Sequence, residues 1–175
     1  MRFHSIAWLF SAAVFLSSCL STRMGEKGAY LEQDKVYASV KRIPEISLIS
    51  IARAGDEAMY QQICTQVQSV LLAKGIPSDM RFLKESDGEV VFEKARQDAK
   101  HSALLRINPI ISSTLRDEMN NPFYVNQALV TLAQSSGEKL AEFVIRIDKD
   151  GRTKTQAKEM ADVITRYLSK KGWIK

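Results

Sequence analysis

The first eighteen residues set the main constraint on this chain, because they are predicted to be absent from the folded protein. Arg2 gives the amino terminus a positive charge, and Ile6–Leu16 then form an apolar run of eleven residues that only Ser11 interrupts. As a helix this run would be about 16 Å long, which is too short to cross a hydrocarbon core of about 30 Å. A charged start and a short apolar run are typical of a secretory signal peptide. We therefore predict that residues 1–18 are removed and that later residues form the fold.

The residues after this run indicate which kind of signal peptide it is. An ordinary one ends in an A-x-A-like site, whereas this one ends in Leu16, Ser17, Ser18 and Cys19. That sequence resembles the lipobox of bacterial lipoprotein precursors, in which an aliphatic residue and two small residues precede a cysteine. The resemblance implies that Cys19 receives a diacylglycerol, that a peptidase cuts between Ser18 and Cys19, and that a fatty acid such as palmitate acylates the new amino group. The alternative is an incidental cysteine in an ordinary signal peptide.

Two or three acyl chains on Cys19 would hold the protein at a membrane, because each buried methylene contributes about 0.8 kcal/mol. The next residue is Leu20. In enterobacterial lipoproteins Asp at this place causes retention in the inner membrane, so the resemblance implies the periplasmic face of the outer membrane, with the inner membrane as the alternative. We predict that residues 19–43 are the lipidated cysteine and a tether, and that residues 44–175 are a single periplasmic domain.

The charge of the chain limits the class of partner. The whole chain has a formal net charge of +5, and loss of Arg2 with the signal peptide leaves +4. Nucleic-acid binding would need lysine and arginine massed on one face, whereas here they are spread out and mixed with acidic residues. We expect no nucleic-acid partner, and at most a weak attraction to anionic lipid head groups or cell-wall polymers.

The second cysteine, Cys64, would have no cysteine to pair with once Cys19 is acylated. An internal disulfide is therefore not expected, although the compartment is oxidising. Cys64 lies beside Ile63 and near Val67 in a helical pattern of apolar residues, which predicts a buried and inert thiol. A reactive thiol is the alternative.

The residues after the tether alternate between strand and helix patterns. Two helices are predicted to end at Gly75 and Gly172, and Pro109 predicts a bulge or an edge because it cannot donate a backbone hydrogen bond. The run 35–41 could add an edge strand. The predicted strands are 46–52, 80–84, 102–112, 124–134 and 138–148, with a hairpin turn at 135–137, and the predicted helices are 56–74, 89–100 and 154–171.

This order, β-α-β-α-β-β-β-α, predicts an α/β fold: a two-layer sandwich in which one mixed sheet of about five strands has its helices packed on one face. The order resembles the amino-terminal domain of TolB and its relatives, which include the core of CsgG-type lipoproteins and the peptidoglycan-synthase activator LpoB. Three local features carry the resemblance: a long helix closing at Gly75 and Ile76, a small-residue helix entering a strand over 99–107, and a hairpin turning at 136–138.

The chain departs from these relatives in two ways. CsgG-like pores carry long amphipathic inserts that build a barrel, whereas the connection 113–122 has only ten residues. LpoB-like proteins have much longer proline-rich tethers. A pore subunit is therefore disfavoured, and a long-reach activator is not supported.

The sequence offers little catalytic chemistry. His101 is the one histidine after the signal peptide, and no second histidine or cysteine has metal-ligand spacing, so no metal is expected. A Ser-His-Asp arrangement is not excluded by counting, but neither a G-x-S-x-G motif nor a phosphate-binding glycine loop is present. Residues 148–151 lack the later glutamate of a calcium loop, because position 157 is Ala157, and are predicted to be a turn. We expect no enzyme, no catalytic residue and no cofactor.

Two places are candidates for contact with a partner. Arg116, Asp117 and Phe123 border a polar loop that could bind a partner, with a solvated turn as the alternative. Trp173 and Ile174 follow the last helix, where they are expected to close the core, with exposure for binding as the alternative.

These observations favour an outer-membrane-anchored lipoprotein that acts as a non-enzymatic interaction or assembly module of the cell envelope, with an envelope protein as its partner. A first alternative is a ligand-binding or hydrolytic lipoprotein acting on cell-wall or lipid fragments, which the positive charge and His101 motivate. A second alternative is a homo-oligomeric, secretion-associated lipoprotein of CsgG type that lacks the barrel inserts.

Overall fold

The computed structural model describes residues 28–40, 42–116, 120, 122–149 and 153–175. Within them the chain forms one sheet with two long helices and one short helix, besides a single 3-10 turn. In chain order the elements are β1 (Tyr30–Val36), β2 (Ile46–Ala52), α1 (Glu57–Ala73), β3 (Ser78–Lys84), α2 (Gly88–Gln97), β4 (Ala103–Arg116), β5 (Pro122–Gln134), β6 (Lys139–Lys149) and α3 (Thr153–Lys170).

The sheet is mixed and has six strands in the order β1-β6-β5-β4-β2-β3. Strand β2 is parallel to both β3 and β4, and the other neighbours are antiparallel. The α/β class and the mixed sheet are confirmed. The expectation of about five strands was too low, because Tyr30–Val36, which we had assigned to the tether, pairs with β6. The element order is therefore β-β-α-β-α-β-β-β-α.

Helices α1 and α3 cover one face of the sheet and enclose the main core. Their apolar residues recur at helical spacing, so each helix presents one buried stripe to the strands. Cys64 is fully buried in this core, as the sequence predicted, and burial raises the pKa of its thiol to about 12. The core includes Leu48, Leu105, Val130 and Ile145 from the strands and Ile63, Val67, Leu71, Ile164 and Leu168 from the helices.

The expectation that all helices pack on one face was wrong, because α2 lies on the opposite face. Phe92 and Ala95 of α2 pack there against Ile49 and Leu104. The chain crosses from β2 to β3 in one direction and from β3 to β4 in the other. Parallel crossovers are almost always right-handed, so reversing the direction moves the connecting helix to the other face.

Strand β4 extends well beyond its neighbour β2. The two strands pair only as far as Ser50 and Ile107, whereas β4 and β5 stay paired to Arg116 and Pro122. The register shifts at Pro109, which confirms the predicted bulge. The outer part of this hairpin, residues 108–116 of β4 and the residues 122–129 of β5 that pair with them, is called the β4–β5 arm below.

The chain segment that enters the domain is held against α3. The Ala29 backbone N–H donates to Glu159 Oε2 over 3.1 Å, and Lys171 Nζ lies 2.9 Å from Asp34 Oδ2. At the other terminus Trp173 is buried and meets the Tyr167 ring edge-on, with 5.9 Å between the ring centroids. The predicted closure of the core by the carboxyl-terminal residues is confirmed. Within the described residues, no helix combines the length and apolar character that spanning a bilayer requires.

Candidate functional site

His101 lies in a cluster of polar side chains at the amino-terminal ends of the three parallel strands. Its Nδ1 is 3.1 Å from Glu45 Oε2, and its Nε2 is 3.6 Å from Asp79 Oδ1. Ser47 Oγ donates a hydrogen bond of 2.6 Å to the same Asp79 oxygen. The backbone N–H of Ser102 donates to Glu45 Oε1. This bond and the nearby His101 hold the pKa of Glu45 below its usual range.

The geometry of this cluster does not suit nucleophilic catalysis. Ser47 is only 2% exposed, and its hydroxyl proton points to Asp79 rather than to the ring of His101. Its oxygen also accepts the backbone N–H of His101 over 3.3 Å. In open α/β sheets, ligands bind beyond the carboxyl ends of parallel strands, whereas this cluster lies at the opposite ends. These hydrogen bonds join β2 to β3 and to the segment that precedes β4.

The same residues do not form a metal site. Nδ1 of His101 faces the Glu45 carboxylate and Nε2 faces the Asp79 carboxylate, so the two carboxylates do not converge on one position beside the ring. Zinc sites need three or four ligands around one position. Among the residues that the structure describes, no group of three histidine, cysteine, aspartate or glutamate side chains could hold a metal ion.

The β4–β5 arm carries the exposed apolar side chains of the sheet's long hairpin. Ile110, Ile111 and Leu115 are 38%, 40% and 45% exposed. Beyond Ile107, β4 has β5 on one side and no described strand on the other. A strand edge of this kind presents backbone N–H and C=O groups to any chain that can pair with it.

The residues next to the arm hold its inner end in place. Arg53 donates through Nη1 to the carbonyl oxygen of Ile110 over 3.1 Å, and its Nε lies 3.2 Å from Glu85. Ser112 Oγ donates to Asp56 Oδ1 over 3.0 Å at the start of α1. The arm is thus fixed to the domain near Ile110 and Ser112 and becomes more exposed toward Leu115.

The predicted contact residues fall at the tip of this arm. Arg116 is exposed and donates through Nη1 to the carbonyl oxygen of Asn120 over 2.9 Å. Phe123 lies in β5 opposite Leu115. Asp117, like the predicted cleavage and lipidation residues Ser18 and Cys19, lies outside the described residues.

Sequence reasoning missed two parts of this surface. It identified the loop at the tip but not the strand edge that leads to it, although the run 108–115 lacks charged residues. It also did not place Glu45, Ser47 and Asp79 beside His101, because these residues come from separate segments. Their proximity requires the parallel register, in which Ser47 is opposite Asp79.

The fold is similar to that of solved structures. The PelC dodecamer from Paraburkholderia phytofirmans is 16% identical, with 84% of this chain and 99% of that chain covered and a TM-score of 0.53. A substituted PelC dodecamer from the same organism is 13% identical over 78% and 96% of the two chains, with a TM-score of 0.54. Lipoprotein GNA1162 from Neisseria meningitidis is 13% identical over 73% and 99%, with a TM-score of 0.48. No protein-family model and no curated protein matches the chain.

At such low identities, the likeness to PelC shows a common fold and no more. It covers most of this chain and nearly all of the PelC chain.

Proposed function

We propose that this protein is a lipid-anchored module of the bacterial cell envelope that assembles with copies of itself and has no enzymatic activity. Acylated Cys19 holds it at the periplasmic face of the outer membrane, and the folded domain makes the protein contacts. The observation that carries the assembly role is the fold in common with PelC, whose structure is a dodecamer.

Two features of the chain support this proposal. The sequence Leu16-Ser17-Ser18-Cys19 supports the lipid anchor through its likeness to a lipobox. The β4–β5 arm supports a role in binding, because it presents apolar side chains and an unpaired strand edge. The hydrolytic alternative has less support, because Ser47 is buried and hydrogen-bonded to Asp79.

The lipid anchor is tested in cells that make the full-length chain and are fed a labelled fatty acid. We expect the label in the wild type and in the control variant Cys64→Ala, and none in Cys19→Ala. In cell fractions, the wild type should be found with the outer membrane. Label that persists in Cys19→Ala, or a purified protein that still begins at Met1, would contradict the anchor.

Self-assembly is tested by measuring the mass of the full-length protein in detergent, by light scattering and native mass spectrometry. We expect the mass of an oligomer, equal to that of two or more chains. A monomer over the whole accessible concentration range would contradict the assembly role. A mass measurement on Cys19→Ala then separates assembly by the domain from clustering caused by lipid.

A further inference from the structure

The sheet has several free edges among the described residues, and one of them differs from the others in charge. The longest of these edges are β1, β3 and the outer side of β4 in the β4–β5 arm. Charged side chains on an edge strand oppose pairing with another chain. Strand β1 carries Glu32, Asp34 and Lys35, and β3 carries Asp79, Arg81 and Lys84. From residue 108 to residue 115, β4 carries no charge at all.

Other features that hinder pairing with a second chain occur at the inner end of the arm. A proline or a bulge on an edge strand hinders pairing, and in β4 both occur at Pro109. The Arg53 guanidinium covers the carbonyl oxygen of Ile110. Beyond these residues, Ile111–Leu115 has neither a proline nor a register shift. Within this segment the Ser112 hydroxyl donates to Asp56 at the start of α1, while Ile111 and Leu115 remain exposed.

We infer that Ile111–Leu115 is a self-pairing edge, at which β4 of one copy pairs antiparallel with β4 of a second copy about Ser113. This inference rests on the self-assembly that we propose above and identifies one contact within it. The pairing joins the two sheets through backbone hydrogen bonds. It is a two-fold contact, in which each copy contributes the same residues.

The sequence of the edge suits a second copy because it complements itself. When Ser113 lies opposite Ser113, Ile111 of one copy lies opposite Leu115 of the other, and Ser112 lies opposite Thr114. Cross-strand apolar pairs and hydroxyl pairs both stabilise a sheet, and no like charges face each other. A lipid surface is a less suitable occupant, because the backbone groups of an open edge find no hydrogen-bond partners in hydrocarbon.

A cysteine cross-link tests the register directly. Opposed residues in an antiparallel pair have Cα atoms about 4.5–5.5 Å apart, which is within the range of a disulfide. Full-length Ser113→Cys should therefore form a disulfide-linked dimer under mild oxidation, in membranes and in detergent. The matched control is Ser135→Cys, an exposed serine in the turn between β5 and β6, which should stay monomeric on a non-reducing gel.

A charge substitution gives a second test. Ser113→Lys places two lysines opposite each other at the centre of the contact, and we expect association about tenfold weaker. Gln33→Lys adds the same charge to β1, an edge that is already charged, and should leave association unchanged. Circular dichroism on each variant establishes that it is folded, and the cross-link stands as evidence if Ser113→Lys does not fold.

The outcomes separate this inference from the proposed function. A monomeric wild type contradicts self-assembly itself. An oligomeric wild type with no Ser113→Cys dimer and no effect of Ser113→Lys leaves self-assembly intact and overturns the self-pairing edge. A Ser113→Cys cross-link to a different protein overturns the second copy as the occupant.

Discussion

The hydroxyl of Tyr167 donates a hydrogen bond of 3.0 Å to Oδ2 of Asp34, and this contact joins α3 to the edge strand β1. Lys171 Nζ lies 2.9 Å from the same oxygen. The hydrogen bonds from Lys171 and Tyr167 hold the pKa of Asp34 below its usual range. Together with the backbone pairing to β6, they determine how the entering chain is attached to the domain.

Attachment of β1 should therefore weaken in acid. A carboxyl whose pKa is lowered by folding adds stability above its unfolded pKa, near 4, and that stability is lost as the pH falls through the folded value. Hydrogen exchange of the amides of 30–36, corrected for the intrinsic rate, should therefore be about two- to fivefold faster at pH 3 than at pH 7. This fold-change corresponds to the stability that an exposed ion pair contributes. Asp34→Asn should be less protected at pH 7 and less sensitive to pH, whereas Asp162→Asn on α3 should behave as the wild type. Equal protection at both pH values would contradict the role of Asp34.

Two adjacent leucines in α1 provide a test of the main core. Leu71 is fully buried and Leu72 is 53% exposed. Leu71→Ala should lower the free energy of unfolding by about 2–5 kcal/mol, because it removes core contacts and leaves a cavity. Leu72→Ala should change it by less than about 0.5 kcal/mol. Urea unfolding followed by circular dichroism measures both, and similar losses in the two variants would show that α1 is oriented differently.

The thiol of Cys64 should not react in the folded protein. It is buried, and its pKa is raised to about 12, so the reactive thiolate is scarce at neutral pH. Acylated wild type should show no thiol that reacts with Ellman's reagent in buffer and one that reacts in guanidinium chloride. Cys64→Ala should show none in either condition. Rapid reaction of Cys64 in buffer would contradict its place in the core.

The cluster around His101 should affect stability rather than catalysis. Ser47→Ala removes the hydroxyl that joins Asp79 to the backbone N–H of His101. Urea unfolding should show that the free energy of unfolding falls by about 1 kcal/mol. The control is Ser78→Ala, because the buried hydroxyl of Ser78 has no hydrogen-bond partner among the described residues, and its removal should be neutral.

A fluorophosphonate probe separates this structural role from hydrolysis. We expect no labelling of the wild type, because the hydroxyl proton of Ser47 is directed to Asp79. Labelling of the wild type that disappears in Ser47→Ala would favour the hydrolytic alternative.

Helices and the last hairpin could be predicted from the sequence because each has a face that is consistently buried. The predicted helices 56–74 and 154–171 correspond to Glu57–Ala73 and Thr153–Lys170. The edge strand offered over 35–41 lies at Tyr30–Val36 instead. Its bounds were wrong because all of its residues after Tyr30 are exposed, so its sequence does not alternate between apolar and polar residues. Its place in the sheet depends on backbone pairing and on contacts such as Asp34 with Tyr167.

The position of α2 could not be predicted from its own sequence. The spacing of Phe92 and Ala95 indicates that one side of the helix is buried, but both faces of a sheet can provide a surface for it. The choice depends on which strands are adjacent, and that is a relation between distant segments. The polar cluster at His101 was missed for the same reason, since it requires β2, β3 and β4 to lie side by side in register.

The register of β1 also determines where the chain enters the domain. Tyr30 pairs with Arg146, and Asp148 pairs with Val125 of the β4–β5 arm, so the entering chain and the arm share one end of the sheet. With Cys19 acylated, the nine residues from there to Gly28 span at most about 30 Å. The arms of neighbouring copies would then be confined to a thin layer beside the bilayer. In such a layer, encounters are effectively two-dimensional, so an edge contact that already forms in detergent should be more fully occupied at the membrane.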